Sequence, residues 1–259
     1  MDMLEKIKQE LAQASKTPSP DAIKDVMRLF RSIIFPAFYP EHGVDSATKI
    51  AAAILTEQGV DPNSVEKFVA GIPEIRELIF KDVAAIAHND PAVMSASEIV
   101  LSYPAVTVML HYRVAHALLK EGVQMIPRMI TEMAHSSTGI DIHPAAQIGE
   151  YFAIDHGTGI VIGATSIIGN HVMLYQGVTL GARNFSYDTD GKPIDKPRHP
   201  ILEDNVTVFS NTSILGRVRV GHDTIVGGNV WLTHDVPPYS RILQTQAVTE
   251  PMFGDGGGI

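Results

Sequence analysis

The feature that most constrains this chain is a six-residue beat in its C-terminal half. Aliphatic residues stand at Leu202, Val208, Ile214, Val220, Val226 and Leu232, and earlier at Ile162, Ile168, Leu174 and Leu180. Small or β-branched residues follow four places later at Ser166, Val172, Val178, Val206, Thr212, Val218, Thr224 and Val230. A helix repeats its apolar face every 3.6 residues and a half-buried strand every two, so neither produces this period. A chain that turns every six residues has a triangular cross-section, with three short strands to a coil and one aliphatic residue pointing inward on each face. Such coils stack at the inter-strand spacing of about 4.8 Å, and each buries the core its neighbour cannot close alone. The beat predicts a parallel β-helix.

Two interruptions stand out. Ile142, Ile148 and Ile154 keep the period, but Ile162 comes eight residues after Ile154, and Asp155 and His156 lie inside the slip. Leu180 and Leu202 are 22 residues apart, and GARNFSYDTDGKPIDKPRHPI between them lacks the beat. A loop leaving a rigid solenoid is where function tends to sit, and this one ends on Arg198, His199 and Pro200.

Ahead of Gly139 the spacing is helical. In AIKDVMRLFRSIIFPAF, Ile23, Val26, Met27, Leu29, Phe30 and Ile33 line one broad face. In DSATKIAAAILTEQG, Asp45 or Ser46 is expected as the N-cap and Gly59 as the C-cap. The expected fold is α+β: an all-helical N-terminal domain over 1–138, then a β-helix over 139–240 with an excursion loop at 181–201. A flexible tail over 241–259 completes it, ending in GDGGGI.

A net charge of −9 opposes a nucleic-acid surface, which needs a basic stripe to displace counterions, and equally an anionic membrane surface. The absence of cysteine removes disulfides, thiolate metal sites and an acyl-cysteine intermediate. The start, MDMLEKIKQELAQ, is charged and helical in pattern, unlike a secretory signal. The most apolar stretch is broken by Pro104, His111, Arg113 and His116, so no membrane span is expected and the protein reads as cytoplasmic. GTGIVIG lacks dinucleotide-loop spacing. Eleven histidines raise the question of a metal, with His156 and His171 available, but no ligand pattern is visible and none is expected. His135, His143 and His222 read as turn residues.

His156 is the natural general base, because an imidazole changes charge near neutrality. It needs a carboxylate to orient its other ring nitrogen. Strand neighbours point to opposite faces, which counts against Asp155. Asp141, 15 residues back and close to one coil below, is permitted by the spacing but not required by it.

The beat, TGIDIHPAAQIG, IDHGTGIVIG, YQGVTLGA and RHP, with HNDPA in the helical half, together resemble the serine O-acetyltransferases of the hexapeptide, left-handed β-helix acyltransferase superfamily. The resemblance covers most of the chain beyond its first 20 residues. It implies transfer of acetyl from acetyl-CoA to the L-serine hydroxyl, giving O-acetyl-L-serine and CoA in the first step of cysteine biosynthesis. Attack is direct, with His156 as base oriented by Asp141 and no metal. The resemblance assigns serine to Asp90, Asp155, Arg198 and His199, with carboxylates meeting its ammonium and Arg198 forking its carboxylate. It assigns the pantetheine arm of acetyl-CoA to Gly181, Ala182, Ser210 and Gly228. A lysine near the CoA phosphates in relatives is Ile225 here, which leaves Arg217 and Arg219 as candidate cations.

The same resemblance implies a homotrimer with sites between subunits, or a dimer of trimers, and L-cysteine as feedback inhibitor. Ile259, with its free carboxylate, is expected to enter the active site of O-acetylserine sulfhydrylase. Two other readings compete. A hexapeptide acetyltransferase for a sugar or xenobiotic would need neither the helical domain nor Asp90. A non-catalytic β-helix scaffold would need none of Asp141, His156 and Arg198.

Overall fold

Helices occupy the chain as far as Thr138 in the structure, a computed structural model that describes residues 3–12, 17–184, 187–189, 191, 194 and 196–245. They are α1 (Met3–Ala12), α2 (Pro20–Ile34), α3 (Val44–Glu57), α4 (Pro62–Ala70), α5 (Ile72–Asn89), α6 (Ala96–Ser102), α7 (Pro104–Lys120) and α8 (Met125–Thr138). Ser19 starts α2 by accepting the Ala22 N–H at 3.4 Å, and Pro20 presets its first turn. The six residues that the helical spacing aligned on α2 are all buried. At α3 the expected cap shifts: the N-cap is Gly43, without a side-chain bond, and Asp45 sits in the first turn, where the helix dipole favours its charge. Gly59, at φ 88°, lies just past the C-cap Gln58. No helix among the described residues is long and apolar enough to cross a membrane.

Short strands follow. β1 (Asp141–Ile142), β2 (Gln147–Ile148) and β3 (Ala153–Asp155) make the first coil. β4 (Val161–Ile162), β5 (Ile167–Ile168) and β6 (Met173–Tyr175) make the second, and β7 (Thr179–Gly181), β8 (Ile201–Leu202) and β9 (Thr207–Val208) the third. β10 (Ser213–Leu215), β11 (Arg219–Val220) and β12 (Ile225–Val226) form the fourth, with β13 (Trp231–Leu232) and β14 (Arg241–Ile242) above them. All pairings are parallel, and three sheets run up the stack: β1-β4-β7-β10-β13 on the first face, β2-β5-β8-β11 on the second and β3-β6-β9-β12-β14 on the third. The aliphatic residues of the beat are buried on every coil. The threonine hydroxyls at the plus-four places bond to the backbone: Thr212 Oγ1 donates to Gly227 O at 2.6 Å and accepts the Val230 N–H at 3.2 Å, whereas the buried Ser166 hydroxyl has no partner among the described residues.

The strand register locates both interruptions. Asp141 pairs with Val161 and Val161 with Thr179, so the first coil advances 20 residues and the second 18. The surplus can be placed to the residue. Asp155 pairs with Tyr175, and the Thr158 carbonyl takes the Gly177 N–H, so one coil runs Asp155-His156-Gly157-Thr158 where the next runs Tyr175-Gln176. His156 and Gly157 are the two extra residues. Thr179 pairs with Ser213, 34 residues on, which places the excursion between Gly181 and Ile201.

β1, β2 and β3 each end a sheet, and an open strand edge is a pairing hazard. The helices cover that end. Tyr112 Oη of α7 donates to Ala146 O at 2.6 Å and the His116 ring bonds Pro144 O at 2.8 Å. α8 runs into the first coil through Gly139 at φ 71°, whose carbonyl accepts the Gly159 N–H at 2.8 Å.

Candidate active site

The two surplus residues stand at the edge where the third face turns into the first. His156 has φ 55° and Gly157 φ 86°, and the Gly157 N–H closes a tight turn on Asp155 O at 2.7 Å. A Cβ at Gly157 would lie 2.5 Å from Ile140 Cδ1, so this turn requires glycine for space as well as for φ. The left-handed backbone turns the imidazole out of the wall, leaving its side chain 72% exposed. It also ends the strand alternation that counted against Asp155. His156 Nδ1 lies 3.7 Å from Asp155 Oδ1, because a left-handed residue does not point opposite its neighbour as a strand residue does.

Asp90 reaches this edge from the C-terminal end of α5, which packs along β3. Its Oδ1 accepts the Ala92 N–H at 2.8 Å and its Oδ2 the Tyr103 hydroxyl at 2.7 Å. The Tyr103 bond, then the backbone bond, hold the Asp90 carboxyl below its ordinary value, and His156 acts on it in the same direction. The shared bond pushes Tyr103 up to about 12. Tyr175 stands directly above Asp155 in the next coil and stacks on Phe209 with ring centroids 4.8 Å apart. Asp90, Asp155 and His156 thus share one corner, walled by two tyrosines.

The other expected residues are elsewhere. Asp141, on the first face, faces Arg128 of α8 at 3.5 Å. Among the described residues no hydrogen bond joins it to His156. Glu132, His135 and Asp141 bring ligand atoms within 4.8 Å of one another, but Arg128 pairs with both carboxylates, so the group is an ion-pair cluster. His135 is therefore a helix residue of α8, not the turn residue expected.

Arg198 and His199 stand at the edge between the first and second faces. Thr165 organises them: its Oγ1 accepts the Arg198 N–H at 2.9 Å and the His199 N–H at 3.1 Å, and lies 2.8 Å from His199 Nδ1. The Thr165 N–H also points at Nδ1, at 3.2 Å, so this network assigns Nδ1 as acceptor and the proton to Nε2. The ring rests on Gly163, where a Cβ would come within 2.0 Å of His199 Cδ2. Burial, then the neighbouring Arg198, lowers His199 to about 4.

The residues expected along acetyl-CoA divide between the same two edges. Ser210 and Gly228 continue the His156 edge upward, since Asn211 N–H bonds Gln176 O and Asn229 N–H bonds Ser210 O, each at 2.9 Å. A Cβ on Gly228 would stand 3.2 Å from Ser210 O. Gly181 and Ala182 lie at the foot of the excursion, on the Arg198 edge. Ile225 is 42% exposed on the third face. The two candidate cations are already engaged: Arg219, on the second face, pairs with Glu203 at 2.7 Å, and Arg217 donates to Thr165 O and His199 O. Ile259 lies outside the described residues.

Tyr103, Tyr175 and Thr165 are the site residues that sequence reasoning missed. Tyr175 opens the YQGVTLGA motif but was given no role there, and no motif marks Tyr103 or Thr165; each of the three matters through a partner 13 or more residues away.

A parallel solenoid of six-residue faces, with an imidazole turned out at one edge, is the architecture of the hexapeptide-repeat acyltransferases. No family model matches the sequence. A serine acetyltransferase of Synechococcus elongatus is 40% identical over 240 residues, covering 92% of this chain and 74% of that one. The structure of an Entamoeba histolytica serine acetyltransferase in complex with cysteine superimposes with a TM-score of 0.76 at 31% identity, over 89% of this chain and 84% of that one. A Neisseria gonorrhoeae serine acetyltransferase in complex with serine gives 0.60 at 25% identity, over 86% and 97%. A serine acetyltransferase in complex with CoA gives 0.63 at 26%, over 86% and 83%. The chain belongs to the serine acetyltransferase family.

Proposed function

We propose that the chain transfers acetyl from acetyl-CoA to L-serine at the edge where His156 leaves the coil. The observation that carries this reading is the convergence of Asp90, Asp155 and His156 around the two inserted residues. Two carboxylates meet the ammonium of an amino acid, and the imidazole beside them is exposed and turned outward. His156 takes the hydroxyl proton as serine Oγ attacks the thioester carbonyl carbon. The tetrahedral oxyanion collapses, the C–S bond breaks, and the imidazolium returns the proton to the CoA sulfur. The role of orienting the imidazole falls to Asp141 on the family resemblance and to Asp155 on its 3.7 Å approach to Nδ1.

Arg198 and His199 grip the serine carboxylate from a second copy of the chain. They stand on a different edge from His156, and a trimer sets one subunit's edge against its neighbour's, which completes the site across the interface. The same groove takes the pantetheine arm past Gly181, Ala182, Ser210 and Gly228. L-cysteine, a near isostere of serine, competes for the acceptor site and acts as feedback inhibitor. The neighbours bound to serine, cysteine and CoA support this substrate set. A dimer of trimers, a cytoplasmic setting and capture of Ile259 by O-acetylserine sulfhydrylase complete the proposal.

Thiol release from acetyl-CoA, measured with L-serine against a panel of hydroxyl acceptors, tests it. Serine is expected to be preferred, and His156→Ala to lower kcat by about 10²- to 10⁴-fold. In the same series, loss of Ile259 should spare acetylation and abolish sulfhydrylase binding. No release with serine, or a full rate in His156→Ala, would overturn the reading.

A further inference from the structure

α5 carries Asp90 at its end and, two turns earlier, a charge on its buried face. Ile75, Ile79, Val83 and Ile86 form the core side of α5, and Asp82 is buried among them. Its side chain is 2% exposed and meets Arg113 of α7, itself 4% exposed. The contact is a bidentate fork, with Nη2 to Oδ1 at 3.0 Å and Nε to Oδ2 at 3.1 Å. Both partners then reach the coil. Arg113 donates to Ile148 O at 2.7 Å and to Gly149 O at 2.6 Å, while Asp82 Oδ1 accepts the Phe152 N–H at 3.1 Å. The pair therefore grips the bend between β2 and β3 on both sides.

A buried ion pair adds little net stability over an apolar replacement of similar volume. What this one supplies is direction, since its five bonds are satisfied together in one placement of α5, α7 and the first coil. Two arms leave the clamp side by side, because α5 packs along β3. From Asp82 to Asp90 the helix advances about 12 Å at its usual rise. From Phe152 to Asp155 the strand advances about 10 Å, and His156 turns out directly after it. The arms end together, one at Asp90 and the other at Asp155 and His156. At that far end Tyr103, the N-cap of α7, holds Asp90 through its hydroxyl.

We propose that Asp82 and Arg113 are positioning residues for the acceptor amino acid, setting Asp90 opposite Asp155 and His156. This rests on serine being the acceptor held by those three. The residues assigned to acetyl-CoA belong to the third and fourth coils and do not touch the clamp, so the two substrates should respond differently.

Steady-state kinetics for both substrates, with melting temperatures, test this in Asp82→Asn, Arg113→Lys and the apolar pair Asp82→Leu/Arg113→Met. The isostere keeps the carboxyl shape, and the lysine keeps charge but loses the fork. The expected result is a serine KM raised about tenfold or more with acetyl-CoA KM within about twofold, while the apolar pair melts below the wild type because it leaves Ile148 O, Gly149 O and the Phe152 N–H without partners. Equal rises in both KM values, or an unchanged serine KM in a folded variant, would overturn the proposal. So would unfolding of both conservative single variants, since the pair would then be a folding determinant. A wild-type protein inactive with serine would instead remove the acceptor reading and leave the clamp without its substrate.

Discussion

At the scale of single residues, His199 shows how its neighbours set its proton. It is 8% exposed, rests on Gly163 and offers Nδ1 to Thr165. Burial, with Arg198, His143 and Arg217 nearby, lowers it from 6.5 to about 4. Between those values the unfolded chain binds a proton that the folded chain refuses. The stability that neutral His199 contributes is therefore complete above pH 6.5 and is lost as pH falls toward 4. Urea denaturation at neutral pH and at pH 5 should show a larger loss for the wild type than for His199→Asn; equal losses would rule out this account. At this scale the chemistry-bearing residues were legible as types in motifs: His156 beside Asp155, Asp90 in HNDPA, Arg198 and His199 in RHP. Their partners were not. Tyr103 lies 13 residues from Asp90 and Thr165 lies 34 from His199, and a hydrogen bond across such separations leaves no pattern in a sequence.

At the scale of elements, the β-helix was readable because each coil repeats the same burial problem. The slip in the beat was readable too, but its cause was not. Register shows that the coil is regular on both sides of His156 and Gly157, which are simply added. Deleting both should therefore leave a normal edge, like the one Tyr175 and Gln176 make above it. The variant is expected to melt within a few degrees of the wild type and to lose acetyl transfer entirely. Unfolding on deletion would show that the turn is structural, and retained activity would move the base elsewhere. Helix limits were less legible than helix faces. α2 buries the predicted stripe, whereas α3 begins at a glycine cap that no side chain announces. Asp82 did leave a trace, as one acid on the apolar stripe of α5, but its partner on α7 is 31 residues away.

At the scale of the whole molecule, the proposed site is divided. His156 and Asp155 stand on one edge of the solenoid and Arg198 and His199 on another, so one chain offers two halves that a neighbour would complete. Mixed trimers test this directly. His156→Ala and Arg198→Ala chains, each inactive alone, should regain activity when dissociated and reassembled together, since about a quarter of interfaces would then pair two intact halves. No recovery, with mixed trimers demonstrated, would place each site within one chain.

The sequence by itself determined the solenoid, its slip, its excursion and the reactive side chains. Those depend on local burial patterns and residue chemistry, which a linear code carries. Tertiary structure decided where the two surplus residues fall, which way His156 points and how Asp90 is delivered to it. Each of these depends on contacts between distant segments: coil on coil for the register, a left-handed φ supported by the space beside Ile140, and an ion pair buried between α5, α7 and the first coil.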